Sequence, residues 1–196
     1  MKLKKHIISF NGDHGSGKST IAKKLAEALG YKRFYMGKIA RNMAEDHGMS
    51  YAEFLDLLKT DPSYDKRIDD YVVSLGNNED NFIIESRTAW HFIPQSFKVY
   101  LKVDPIEGAK RMFADYQNDS NRDNESKDVK TMEDILNISR NRKKADDERY
   151  KKLYNIDPND MSQYDLVVDT TNLTREEVLD TVQKAYKKFL KEERGS

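Results

Sequence analysis

Apolar residues in this chain fall into short runs that alternate with longer stretches of helical periodicity. His6-Ile7-Ile8-Ser9-Phe10 is such a run, and it predicts a buried strand over 5–10. In the segment that follows, Ile21, Leu25 and Leu29 repeat every four residues and Gly30 supplies a stop, so a helix is expected over 17–29. Lys32-Arg33-Phe34-Tyr35 reads as a second short strand. Asn81-Phe82-Ile83-Ile84-Glu85, Phe97-Lys98-Val99-Tyr100-Leu101-Lys102-Val103 and Tyr164-Asp165-Leu166-Val167-Val168-Asp169 supply three more.

Helices fill the gaps. One begins at Gly37-Lys38-Ile39-Ala40-Arg41. Another opens at the capping box Ser50-x-x-Glu53. Asp61-Pro62 places a cap before a helix-starting proline, and that helix should turn Ile68, Val72 and Leu75 inward and end near Gly76. Asp104-Pro105 caps a helix with Ile106, Ala109, Met112 and Phe113 on its apolar side. Residues 115–130 are almost wholly polar and read as a loop, and a basic helix is expected from Met132 to about Tyr154. The box Thr174-x-x-Glu177 opens a last helix through Val178, Val182, Tyr186 and Phe189. Strands alternating with helices predict an α/β fold with a five-stranded parallel sheet covered on both faces. No repeat or linker divides the chain.

The stretch joining the first strand to the first helix carries the chemistry. Gly12-Asp13-His14-Gly15-Ser16-Gly17-Lys18-Ser19 has the spacing of a P-loop, GxxxxGK[ST], between a strand and a helix. Glycines there bring backbone N–H groups close to phosphate oxygens, and the N-terminus of the helix that runs on through Thr20 adds its positive end. Lys18 can reach the β- and γ-phosphates, and the Ser19 hydroxyl can ligate Mg²⁺. The reading is nucleoside triphosphate binding.

Composition narrows the rest. The chain has 196 residues, 35% of them charged, with a formal net charge of zero, which argues against a general nucleic-acid binder. There is no cysteine, so disulfides, thiolate metal sites and cysteine nucleophiles are excluded. No apolar run has the length of a membrane span, and the first residues lead into a strand instead of a signal peptide. A cytoplasmic monomer is expected. The four histidines show no metal spacing. His14 could simply face solvent. Trp90 and the tyrosines read as packing residues.

Three further features bear on the reaction. Glu85-Ser86-Arg87 lies at the carboxyl end of a core strand, where open α/β sheets bind ligands, and Arg87 there could grip a phosphate or pair with Glu85 at the rim. Arg142, Asp146 and Arg149, spaced by four and three, share one helix face. That face could be a lid closing on transferring phosphates or a solvated basic surface. Arg41, alone on its helix, reads as a surface arginine.

Together, the P-loop, Gly37-x-x-x-Arg41, Glu85-Ser86-Arg87 and Arg142-x-x-x-Asp146-x-x-Arg149-Tyr150 resemble the P-loop nucleoside monophosphate kinases, and most of all the cytidylate kinases of the archaeal type. His47-Gly48-Met49-Ser50 and Asp61-Pro62-Ser63-Tyr64-Asp65-Lys66-Arg67-Ile68-Asp69 add to the likeness, which spans nearly the whole chain. The resemblance implies a P-loop NTPase fold with an acceptor subdomain at about 36–78 and a lid at about 131–157. It implies transfer of the γ-phosphoryl of ATP to CMP or dCMP, with Mg²⁺. Arg41 and Arg87, with Gly37 and Thr88, would serve the acceptor. Arg142 and Arg149 would bridge the two nucleotides' phosphates, and Asp146 would orient Arg149. The chain departs from the family at Asp13-His14, where small residues or proline are expected, and at Met36 and Thr88, where the acceptor is read. Two other readings remain open: a kinase for an alcohol acceptor, with Glu85 as base, and a nucleotide-binding regulatory module.

Overall fold

The computed structural model describes residues 5–118 and 129–194. Five strands form one parallel sheet: β1 (Ile7–Gly12), β2 (Lys32–Tyr35), β3 (Phe82–Glu85), β4 (Phe97–Lys102) and β5 (Leu166–Asp169), in the order β2-β3-β1-β4-β5. The helices are α1 (Lys18–Leu29), α2 (Met36–Asp46), α3 (Tyr51–Thr60), α4 (Ser63–Asn78), the single turn α5 (Ala89–Phe92), α6 (Pro105–Asn118), α7 (Met132–Tyr154) and α8 (Arg175–Arg194).

Alternation along β1 divides the core. Ile8 and Phe10 face α1 and α8, where they pack with Ile21, Leu25, Leu101, Val178, Val182 and Tyr186. Ile7 faces the opposite layer of Val72, Leu75, Phe82, Ile84 and Ile93. Burying each large side chain contributes ~1.5–3 kcal/mol, so both layers hold the sheet. Two satellite clusters extend the cover: Ala40, Ala44, Tyr51, Phe54 and Leu58 join α2 to α3, and Trp90, Tyr100, Tyr150, Ile156 and Tyr164 join α7 to the sheet. Trp90 is thus a packing residue, as expected.

Several boundaries differ from the sequence expectation. β1 runs on through Asn11 and Gly12, because β4 offers both residues a partner in Tyr100 and Leu101. Gly76 does not end its helix. It lets α4 approach Ile93, whose Cγ1 would lie 3.0 Å from a Cβ at this position, and α4 continues to Asn78. Ile106 is 50% exposed instead of inward; Ala109 takes the buried place on α6. Residues 115–118 continue α6, and most of the expected polar loop lies outside the described residues. The boxes at Ser50 and Thr174 form as expected. An unanticipated third box, Thr131 with Asp134, starts α7.

Sheet order positions the site. The chain leaves β1 toward β2 on one side and passes from β3 to β4 across to the other, so the crevice lies beside the carboxyl ends of β1 and β3. Register places Phe10 opposite Glu85, which brings Glu85-Ser86-Arg87 alongside the glycine loop.

Candidate active site

A cleft of about 570 Å³ opens at that edge of the sheet. Its wall includes Asp13 through Thr20, Gly37, Arg41, Arg87, Thr88, Arg142, Asp146 and Arg149, so every expected site residue except Gly12 lines it. Gly12 shapes the loop instead: its φ is 155°, and a Cβ there would lie 2.4 Å from the Leu101 carbonyl oxygen. Gly15 packs as tightly on α6, with a virtual Cβ 2.2 Å from the Gly108 oxygen. Gly17 adopts φ 78° and turns the chain into α1.

Asp13 lends the loop its backbone only. Its carboxylate accepts from the Tyr100 hydroxyl at 2.8 Å and from Val103 N at 3.2 Å, tying the loop to β4. His14 does not face solvent. Its Nε2 accepts from Arg87 Nη2 at 2.8 Å, while Arg87 Nη1 donates to the Gly12 carbonyl at 2.8 Å. Burial, then Arg87, Arg142 and Lys18, hold the His14 pKa well below its ordinary value, so the ring is neutral and its Nε2 is free to accept. Lys18 sits 3.3 Å from the Gly12 carbonyl, its pKa pulled down to about 7 by burial first and by Arg87 next. An anion in the cleft would offset the repulsion from Arg87 and favour the charged lysine.

Of the two readings of Arg87, the rim pair with Glu85 does not form. Glu85 pairs with Arg33 instead of Arg87: Arg33 Nε donates to Oε1 at 2.7 Å, and Ser19 Oγ donates to Oε2 at 2.7 Å. The side chain is fully buried.

Arg41 is no free surface residue. Its guanidinium lies 5.5 Å from the Tyr35 ring centroid and 5.1 Å from that of Tyr51. Arg142 lies over Tyr51 from α7, at 5.0 Å, and donates to its hydroxyl at 2.7 Å. The face of α7 turned to the cleft is not a solvated one. Arg149 donates to Asp146 Oδ1 at 2.9 Å and pairs with Asp65 Oδ2 at 2.9 Å, and Asp146 Oδ2 lies 3.6 Å from Arg87 Nε. Lys143 and Lys144, off that face, make i,i+4 pairs with Asp147 and Glu148.

Thr88 donates to Asp69 Oδ1 at 2.6 Å, and the Tyr154 hydroxyl donates to Asp69 Oδ2 at 2.5 Å. Sequence reasoning gave no role in the site to Arg33, Tyr51, Asp65, Asp69 or Gly108. For Asp65 and Asp69 a signal existed: both fall on the inward stripe of α4 with Val72 and Leu75, and carboxylates on a buried stripe need partners.

Among the described residues no group of three His, Asp or Glu side chains is arranged to hold a metal, and no helix is long and apolar enough to cross a membrane. A glycine loop between the central strand and α1, facing a wall of arginines, defines a P-loop nucleotide-binding protein. The model of an AAA domain matches residues 8–134. The chain is 31% identical over 179 residues to the cytidylate kinase of Methanococcoides burtonii, covering 91% of this chain and 95% of that one. It is 36% identical over 164 residues to that of Methanothrix thermoacetophila, covering 84% and 88%. A Lacinutrix mariniflava protein named S-adenosylmethionine-dependent nucleotide dehydratase is 33% identical over 182 residues; the match takes in 92% of this chain and spans 36% of that protein's length. In fold, the chain resembles shikimate kinase from Bacteroides thetaiotaomicron, with a TM-score of 0.61 and 14% identity, over 91% of this chain and 97% of that one. The chain belongs to the cytidylate kinase family of P-loop nucleoside monophosphate kinases. It is a phosphotransferase of that class.

Proposed function

We propose that the chain transfers the γ-phosphoryl of ATP to CMP, and to dCMP, by direct in-line displacement. The P-loop backbone and Lys18 hold the triphosphate. Arg41 and Arg87 hold the acceptor phosphate, while Arg142 and Arg149 offset charge that develops between the two nucleotides. Asp146, 2.9 Å from Arg149 and 3.6 Å from Arg87, orients both. Residues 36–78 form the acceptor subdomain and 131–157 the lid. The Ser19 hydroxyl, with Glu85 behind it, suits a hydrated Mg²⁺ that takes its other ligands from phosphate and water. When bound, that ion would supply charge neutralisation on the transferring phosphates.

A phosphomonoester acceptor is mostly dianionic near neutrality, its second pKa being about 6, and it needs positioning without a base. Glu85 supports this class of acceptor over an alcohol, because both its oxygens are already engaged by Ser19 and Arg33.

The choice of base rests on Thr88. Its hydroxyl proton goes to Asp69. Ser86 Oγ accepts from the N–H groups of Thr88 and Ala89, so its own proton points at Thr88 Oγ1, 3.1 Å away. Thr88 can then offer an incoming base only a lone pair. An exocyclic amine, as on cytosine, is accepted; the carbonyl of uracil meets an acceptor. Met36, Ala40, Leu55, Leu58 and Ile68 supply apolar walls to this half of the cleft.

The test is ADP release from ATP and Mg²⁺ against CMP, dCMP, UMP, AMP, cytidine and shikimate, repeated with Thr88→Val. CMP and dCMP should stimulate far more than UMP, and Thr88→Val should shrink the CMP-over-UMP preference by about tenfold or more. Equal rates with UMP in the unaltered chain would overturn the base assignment. Stimulation by an alcohol alone would overturn the acceptor class.

A further inference from the structure

Glu85 makes an unusual demand. Its carboxylate is fully buried at the end of β3, and a buried charge without a counter-ion is costly. The counter-ion comes from the edge of the sheet. Arg33 on β2 pairs with Ile83 in the register, and Tyr35, two residues on, pairs with Glu85. From there the Arg33 guanidinium reaches over the Tyr35 ring, 5.6 Å from its centroid, and closes on Oε1 through Nε at 2.7 Å and Nη2 at 2.5 Å. Arg33 itself does not line that cleft; it lines a smaller pocket with Phe34, Lys38 and Asn42.

With Oε1 gripped twice, the carboxylate cannot rotate, and Oε2 stays 2.7 Å from Ser19 Oγ. The Ser19 proton is therefore committed to Glu85, and its lone pairs face the cleft. A serine without such an acceptor could as easily turn its O–H toward the cleft and present a positive hydrogen to a cation. We propose that Arg33 is a positioning residue for the divalent cation that accompanies the nucleotide: it clamps Glu85, and through Glu85 it sets the orientation of the Ser19 hydroxyl. The proposal rests on the reading of the cleft as a metal–nucleotide site. It gives Arg33 no contact with substrate.

The experiment separates metal from nucleotide. The full chain is saturated with a β,γ-methylene analogue of ATP and titrated with Mn²⁺, free Mn²⁺ being followed by its electron paramagnetic resonance signal. Binding of the analogue alone is measured in chelator. Arg33→Met should weaken Mn²⁺ binding by about 10-fold or more, the scale on which outer partners tune a metal site, while metal-free analogue affinity stays within about twofold. Arg33→Lys, which keeps the charge without the fork, should fall between. The double variant Arg33→Met/Glu85→Gln should bind Mn²⁺ no more weakly than Glu85→Gln, because Arg33 acts only through Glu85. Unchanged Mn²⁺ affinity in Arg33→Met, an equal loss of metal-free analogue binding, or additive losses in the double variant would each overturn the proposal. If the unaltered chain binds neither metal nor analogue, the reading of the cleft falls first and this inference with it.

Discussion

Arg142 on α7 donates to the Tyr51 hydroxyl on α3 at 2.7 Å, and the same ring carries the Arg41 guanidinium 5.1 Å from its centroid. One tyrosine thus touches an arginine proposed for the lid and another proposed for the acceptor. A hydrogen bond from a charged donor is worth ~1.5–3 kcal/mol, and a cation–π contact ~0.5–2 kcal/mol. Tyr51→Phe should raise the KM for the acceptor several-fold, and Tyr51→Leu more, by about 10- to 30-fold, with the KM for ATP little changed. Steady-state kinetics with each nucleotide varied in turn would check this. Equal losses for both substrates would show that Tyr51 serves the fold alone.

Asp65 predicts a pH dependence with a definite sign. Burial, opposed by Arg149, raises its carboxyl to about 6, against about 3.9 in an unfolded chain. Between those values the folded chain holds the proton that the unfolded chain has lost. Its contribution is therefore most favourable below about pH 4 and is lost as pH rises through about 6. Asp65→Asn should match the unaltered chain near pH 4 and exceed it at pH 7.5, by up to about 3 kcal/mol. Urea unfolding at the two pH values would measure the gap. A gap of opposite sign would mean that the ion pair with Arg149 outweighs burial.

The loop rests on α6 backbone to backbone. A Cβ on Gly108 would lie 2.6 Å from the His14 carbonyl oxygen. Neither chain can yield through a side-chain rotamer, so the P-loop itself must shift. Gly108→Ala should cost ~1–3 kcal/mol and raise the KM for ATP while sparing the acceptor. Thermal melts alongside kinetics would test it; an unchanged melting temperature and KM would refute the contact's importance.

Under the proposed reaction these variants address different parts of one cleft, and the parts were unequally visible beforehand. The loop from Gly12 to Ser19 was legible because all its members are adjacent in sequence and their spacing alone dictates a turn between strand and helix. Arg142, Asp146 and Arg149 were placed on one face by helical periodicity, yet whether that face met solvent or a partner was undecided. The answer came from Asp65 and Arg87, 84 and 59 positions from Arg149 and Asp146 respectively (149 − 65 and 146 − 87). Arg41 looked like a surface residue for the same reason: Tyr51 belongs to the next helix, and only the packing of α2 on α3 brings them together.

Local pattern by itself determined the alternation of strands and helices, the P-loop and the helix caps, since each depends on residues a few positions apart. Strand order and register were decided only in three dimensions. They place Glu85 beside Phe10 and Arg33 one strand further out, so Glu85 pairs with Arg33 and accepts from Ser19 while Arg87 turns to the glycine loop. A buried carboxylate takes whichever cation the sheet brings within reach, and that depends on long-range pairing that no short stretch of sequence encodes.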